Sequence, residues 1–149
     1  MRNSTKHIFV WFALAALLLL LVAACAILSG ARAFQKEIAL DPALEHEISI
    51  KDYPSGTNIS VTEADDQRAI LQAISTIQYK GITGSRSMDG QTAAYSLILS
   101  SADRQSVFML TEDTSAIIST PFRIRIDAPD LYDCVRDLFS QYTHAEEIP

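Results

Sequence analysis

From Ile8 to Leu28 the chain runs 21 residues without a charge, a glycine or a proline. At the rise of an α-helix such a run reaches about 31 Å, the thickness of a bilayer's hydrocarbon core. This predicts a transmembrane helix or the hydrophobic region of a signal. Composition matters only once the run is set aside. The full chain has 149 residues and is 48% hydrophobic, but without the run the apolar share falls to that of an ordinary soluble domain. The length suits one domain. All 18 acidic residues follow the run, whereas two of the 12 bases, Arg2 and Lys6, precede it, so the remainder has ten bases and a net charge of −8. A nucleic-acid partner is disfavoured, because phosphate-binding surfaces need clustered Lys and Arg.

Three fates compete for the N-terminal segment. An uncleaved helix accounts for apolar residues continuing to Leu28, for Trp11 near one interface and for bases on both flanks. Val22-Ala23-Ala24-Cys25 has the spacing of a bacterial lipobox, with Cys25 as the acylated residue, although Ala26, Ile27 and Leu28 keep the chain apolar beyond it. Ala31-Arg32-Ala33 offers a small-x-small cleavage site, after a stretch longer than the apolar core of about 7–15 residues that secretory signals use. Arg32 and Lys36 nearly balance the leading bases. The short basic leader, residues 1–7, still resembles that of an exported protein and places the polar domain outside the cytoplasm.

Residues 29–47 lack clear periodicity and read as a stalk or a short helix, broken at Asp41-Pro42. Residues 48–142 read as one α+β domain. Ile48-Ser-Ile50 and Ile59-Ser-Val61 alternate around a Tyr53-Pro54-Ser55-Gly56 turn and predict two short strands. Thr62-Glu63-Ala64-Asp65 resembles a capping box opening a helix to about Ile77, with Ile70, Leu71, Ile74 and Ile77 on its apolar face. A weak strand from Tyr79, a hairpin turn at Asp89-Gly90, and strands over 92–100, 106–111 and 115–119 follow. Phe122-Arg-Ile124-Arg-Ile126 has the cleanest alternation, with Arg123 and Arg125 outward. Asp127, as N-cap, and Pro129 start a second amphipathic helix carrying Leu131, Cys134, Val135, Leu138, Phe139 and Tyr142. Residues 143–149 read as a disordered tail. The expected architecture is a mainly antiparallel sheet with both helices on one face.

Little chemistry is available. The three histidines, His7, His46 and His144, fall in the leader, the stalk and the tail, so a histidine metal site or triad is disfavoured. Cys134 is the domain's one cysteine and is expected to pack as a small hydrophobe. Asp65-Asp66 would suit the first turn of a helix, and Asp130, Asp133 and Asp137 a solvated stripe. Paired carboxylates such as Asp65 and Asp66 would serve an enzyme only within a cleft. Arg123 and Arg125 could hold an anion or a lipid headgroup, although cross-strand pairing with acids is the plainer expectation.

From its basic leader and Leu-rich run through Cys25 to the terminal Asp-Leu-Tyr-Asp-Cys-Val-Arg-Asp-Leu helix, the chain resembles small membrane-anchored or lipobox-bearing proteins of Gram-positive bacteria. The resemblance is architectural. It implies an N-terminal anchor on a single α+β domain and supplies no catalytic residues. The expected function is therefore a non-catalytic binding or accessory module at the cell envelope, with no cofactor or metal. Its partners would be the membrane and a protein or envelope component, met by Arg123, Arg125, Ser96 and Ser100 on the uncovered sheet face.

Overall fold

A computed structural model describes residues 2–39, 47–83, 93–102, 104–112, 115–119 and 122–146. Helix α1, Arg2–Ile38, is followed by β1, Glu47–Asp52, and β2, Asn58–Val61, then by helix α2, Ala64–Ser75. Strands β3, Gln78–Thr83, β4, Tyr95–Ser101, β5, Arg104–Leu110, β6, Ser115–Ser119, and β7, Phe122–Asp127, precede helix α3, Pro129–Glu146. The seven strands form one sheet in the order β2-β1-β4-β5-β6-β7-β3, every neighbouring pair antiparallel. The fold is α+β.

Alternation separates the two faces of this sheet. Ile48 and Ile50 of β1 align with Leu99 and Leu97 of β4, which align in turn with Ser106 and Phe108 of β5. Phe108 continues through Ile117 and Ile124 to Ile82 of β3. Ile50, Leu97, Phe108, Ile117 and Ile124 are fully buried, with the α2 residues Ile70 and Ile74 and the α3 residues Leu131 and Val135 packed in the same core. The expected helical face of Ile70, Ile74 and Ile77 is thus inward, with Leu71 at its margin.

Three local expectations are corrected. Asp89-Gly90 lies outside the described residues, but the strands on either side of it do not pair as a hairpin. β3 pairs with β7 at one edge, and β4 pairs with β1 and β5. This pairing brings Tyr79 and Ile82 onto the inner face beside Ile126 and Ile124, across a bulge at Gly81, whose φ of +136° suits glycine. The N-cap of α2 is Glu63, without a side-chain cap bond. Gln67 Nε2 instead donates to the carbonyl of Val61, and the Tyr142 hydroxyl accepts from the Glu63 N–H while donating to Asp66. At α3 the first helical bond is accepted by the carbonyl of Ala128, which makes Ala128 the N-cap. Asp127 pairs with Lys80 at 3.1 Å.

The segment after the apolar run departs most from the sequence reading. α1 continues unbroken to Ile38, and its last turns pack on the inner sheet face over β3, β6 and β7. Phe34 is buried against the Tyr79 ring, with centroids 5.6 Å apart. Gly30 lies so close to β3 that a Cβ there would come within 2.6 Å of Ile82 Cγ1 and 2.7 Å of the Tyr79 hydroxyl oxygen. Ser106 donates to Glu37 at 2.6 Å, and Arg104 lies 3.4 Å from the same carboxylate while donating to the carbonyl of Lys36. Residues 29–38 are therefore a third helix packed on the core, the helical alternative to a stalk, but continuous with the apolar run and not a separate short element. At the other end of the chain α3 extends past Tyr142 to Glu146, into the segment expected as a tail.

Candidate functional site

All three helices lie on one face, and among the described residues no element covers the other. The register puts Ser49, Ile98, Val107, Ile118 and Arg123 in one row across that open face, with Lys51, Ser96, Met109, Ala116 and Arg125 in the row beside it. Arg123, Arg125, Ser96 and Ser100 thus share a face. They do not form one cluster, because β5 and β6 separate β4 from β7 by about 14 Å, three strand spacings. Ser96 is buried at 3% exposure. Ser100 accepts from Gln105 Nε2 at 3.3 Å.

The residues aligned with Arg123 are Ile118 and Thr83, and those aligned with Arg125 are Ala116 and Gly81. None of these aligned residues is acidic, and Arg123 makes no ion pair among the described residues. Lys51 adds a cation near β1 that sequence reading passed over. Its row neighbour Met109 and the row Ile98 and Val107 give the face a partly covered apolar centre.

The carboxylates lie elsewhere. Asp65 pairs with Arg68 at 2.6 Å in full solvent, and Asp66 accepts from the Tyr142 hydroxyl at 3.0 Å. Asp133 and Asp137 both pair with Arg136, at 2.8 and 2.9 Å. These are surface and capping contacts, screened by solvent. A shallow hollow of about 40 Å³ opens beside the start of α3, lined by Thr111, Glu112, Ser115 and Asp127 among others. It has room for a few waters, and neither Asp65, Asp66 nor Cys134 lines it.

Burial pushes the Cys134 thiol pKa up from 9.0, assisted by the negative charges of Asp137 and Asp66. Tyr95, between the rings of Tyr132 and Phe139, is also raised from 10.0, first by burial and then by Asp52. In both cases the fold favours the neutral form. Stability should hold below pH 9 and fall as pH rises through 9.0 and then 10.0, because the unfolded chain ionises first. A series of thermal melts from neutral pH upward checks this, and Cys134→Ser should remove the earlier part of the loss. Equal alkaline loss in that variant would show that the thiol contributes nothing.

No family model matches the chain, and no curated protein matches it. A solved structure of a candidate lipoprotein from Clostridium perfringens is similar at 14% identity and a TM-score of 0.47, over 66% of this chain and 83% of that one.

Proposed function

We propose that the chain is a membrane-anchored envelope protein in which α1 is an uncleaved membrane span and the remainder a non-catalytic module outside the cytoplasm. The observation that carries this reading is α1 itself. Every described side chain from Val10 to Ser29 is exposed, the helix is long and apolar enough to cross a membrane, and so large a bare apolar surface is incompatible with water. The same helix ends inside the domain's core. Cleavage after Ala33 would strip Gly30 from its seat on β3 and leave Phe34 at a free end. Acylation at Cys25 would leave only four residues, Ala26 to Ser29, between the lipid-bearing residue and Gly30. Both considerations support the uncleaved form.

The open face, with Arg123, Arg125 and Ser100 at its surface and Ser96 beneath, is the proposed meeting place for a protein or other envelope component. Carbonate extraction with intact-mass measurement is the test of the anchor. The full mass in the membrane pellet is expected, and recovery in the soluble fraction would overturn it. A mass matching diacylglyceryl-Cys25 would replace the span by a lipid anchor. For the face, crosslinking from position 123 should capture a partner, and capture from position 137 on α3 alone would refute the assignment.

A further inference from the structure

We propose that β2, the membrane-distal edge of the sheet, binds an extended segment of a partner protein by strand addition, and that the segment alternates apolar and polar residues with a Lys or Arg at one end. The register of β1 and β2 defines what this edge offers. The Asp52 N–H donates to the carbonyl of Thr57, so these two residues form a hydrogen-bonded pair. Bonded and unbonded pairs alternate along an antiparallel ladder. Ile50 with Ile59 and Ile48 with Val61 are therefore bonded, whereas Lys51 with Asn58 and Ser49 with Ser60 are not. The N–H and C=O of Asn58 and Ser60 consequently point away from the sheet, and no described backbone group pairs with them. They offer two donors and two acceptors on residues about 7 Å apart.

Sheet edges are commonly closed by a charge, a proline or a bulge. The opposite edge, β3, has Lys80 and the bulge at Gly81. β2 reads Asn-Ile-Ser-Val and has none of these. Asn58 and Ser60 are exposed, while Ile59 and Val61 are buried in the core on the side where α3 packs. An added strand would continue that division, with apolar side chains beside Ile59 and Val61 and polar ones beside Asn58 and Ser60. One step beyond the pair of Ile48 and Val61, the register brings Glu47 to Thr62, the neighbour of Glu63. Glu47 and Glu63 are exposed, and neither makes an ion pair among the described residues. A cation at that end of the segment would meet them.

Reading α1 as an uncleaved span, on which this step rests, excludes a second copy in the same bilayer as the occupant. α1 crosses the strands from β3 towards β5, with Phe34 over Tyr79 and Glu37 bonded to Ser106. The span therefore leaves the sheet at the β3 edge, and β2 stands six strand spacings away, about 29 Å. Pairing of β2 with its own copy requires a two-fold axis normal to the sheet or along the strand. Either axis reverses the course of α1, so the two spans would lie at opposite ends of the joined sheet. One bilayer cannot hold both.

The test uses the full chain in phosphatidylcholine nanodiscs and a labelled synthetic peptide, Lys-Thr-Val-Thr-Val-Thr-Val-Thr, with amide hydrogen exchange and fluorescence anisotropy as readouts. Exchange at Asn58 and Ser60 should slow roughly fivefold at saturating peptide, with β3 unchanged. Ser60→Pro removes an outward N–H and no ladder bond, a change that edge strands tolerate. It should weaken binding about tenfold, whereas Ser60→Ala should bind as wild type does. Two peptides N-methylated at alternate amides in opposite phase test the same bonds without altering the protein, and only one of them should still bind. Replacing the peptide's Lys by Glu should weaken binding about threefold, and joint Glu47→Gln and Glu63→Gln should erase that difference. Unchanged exchange at Asn58 and Ser60 with millimolar peptide, or equal binding of the two methylated peptides, would overturn the inference. Self-association of the chain in detergent that Ser60→Pro abolishes would overturn it in favour of a second copy. Loss of co-elution with the discs would overturn the anchor reading, while protection of Asn58 and Ser60 in that case would still support strand addition.

Discussion

Ile124→Asp should prevent the domain from folding, whereas Arg123→Ala, one residue away, should shift stability by less than about 0.5 kcal/mol. Ile124 is fully buried between Ile117 of β6 and Ile82 of β3. No cation lies at either aligned position, so a carboxylate there would be desolvated without compensation, at a cost of several kcal/mol. A domain of this size has only about 5–15 kcal/mol to lose. Arg123 faces the other way and gives up no ion pair among the described residues. Leu97→Asp, between Ile50 and Phe108, should behave like Ile124→Asp. Thermal unfolding followed by circular dichroism checks both. A cooperative transition is expected to vanish in the two Asp variants and to stay within a few degrees of wild type for Arg123→Ala. Equal destabilisation would mean that the inward and outward faces of β7 are wrongly assigned.

The contrast between neighbours marks what patterning can convey. Strands that bury one face announce themselves by alternation, so Ile48 with Ile50, Leu97 with Leu99, and Ile124 with Ile126 were legible, as was the run β4 to β7 of successive antiparallel partners. Pairing between distant strands was not. The position of β3 beside β7 depends on a match between Ile82 and Ile124 across a bulge, which no local signal contains. Caps were misread for a similar reason. Thr62 has the chemistry of a cap, but the Glu63 N–H is taken by the Tyr142 hydroxyl of α3, and Gln67 within α2 reaches back to the carbonyl of Val61. Asp127 is one position early and is taken by Lys80.

The candidate surface was partly legible. Outward-facing positions follow from period two, which places Arg123, Arg125, Ser96 and Ser100 on one side. Their separation across β5 and β6 follows from strand order, which period two does not encode. The contribution of α1 was hidden more deeply. Gly30 and Phe34 are isolated residues in a stretch without periodicity, and a glycine inside a helix reads as a weak point costing about 1 kcal/mol. Only the 2.6 Å approach to Ile82 shows why a side chain does not fit there.

Phe34→Ala and Gly30→Leu should each release the end of α1 from the sheet and lower the domain's melting temperature by roughly 5 °C or more, since about 1 kcal/mol corresponds to several degrees at this size. Phe34 is only 8% exposed, and truncating a buried Phe costs about 3–5 kcal/mol through lost transfer energy and the cavity left behind. Gly30→Leu acts differently. Helix propensity alone would make leucine stabilising, so a loss of stability isolates the close packing on Tyr79 and Ile82. The ties from Glu37 to Ser106 and Arg104 remain in both variants, so the helix should fray from its packed turns while its final turn stays tethered. Hydrogen exchange over residues 30–38 should quicken in both, with little change in β4 and β5. Melting and exchange identical to wild type would mean that α1 only carries the domain. The expected result would make the span and the sheet one mechanical unit, so that a tilt of the helix in the membrane turns the open face by the same angle.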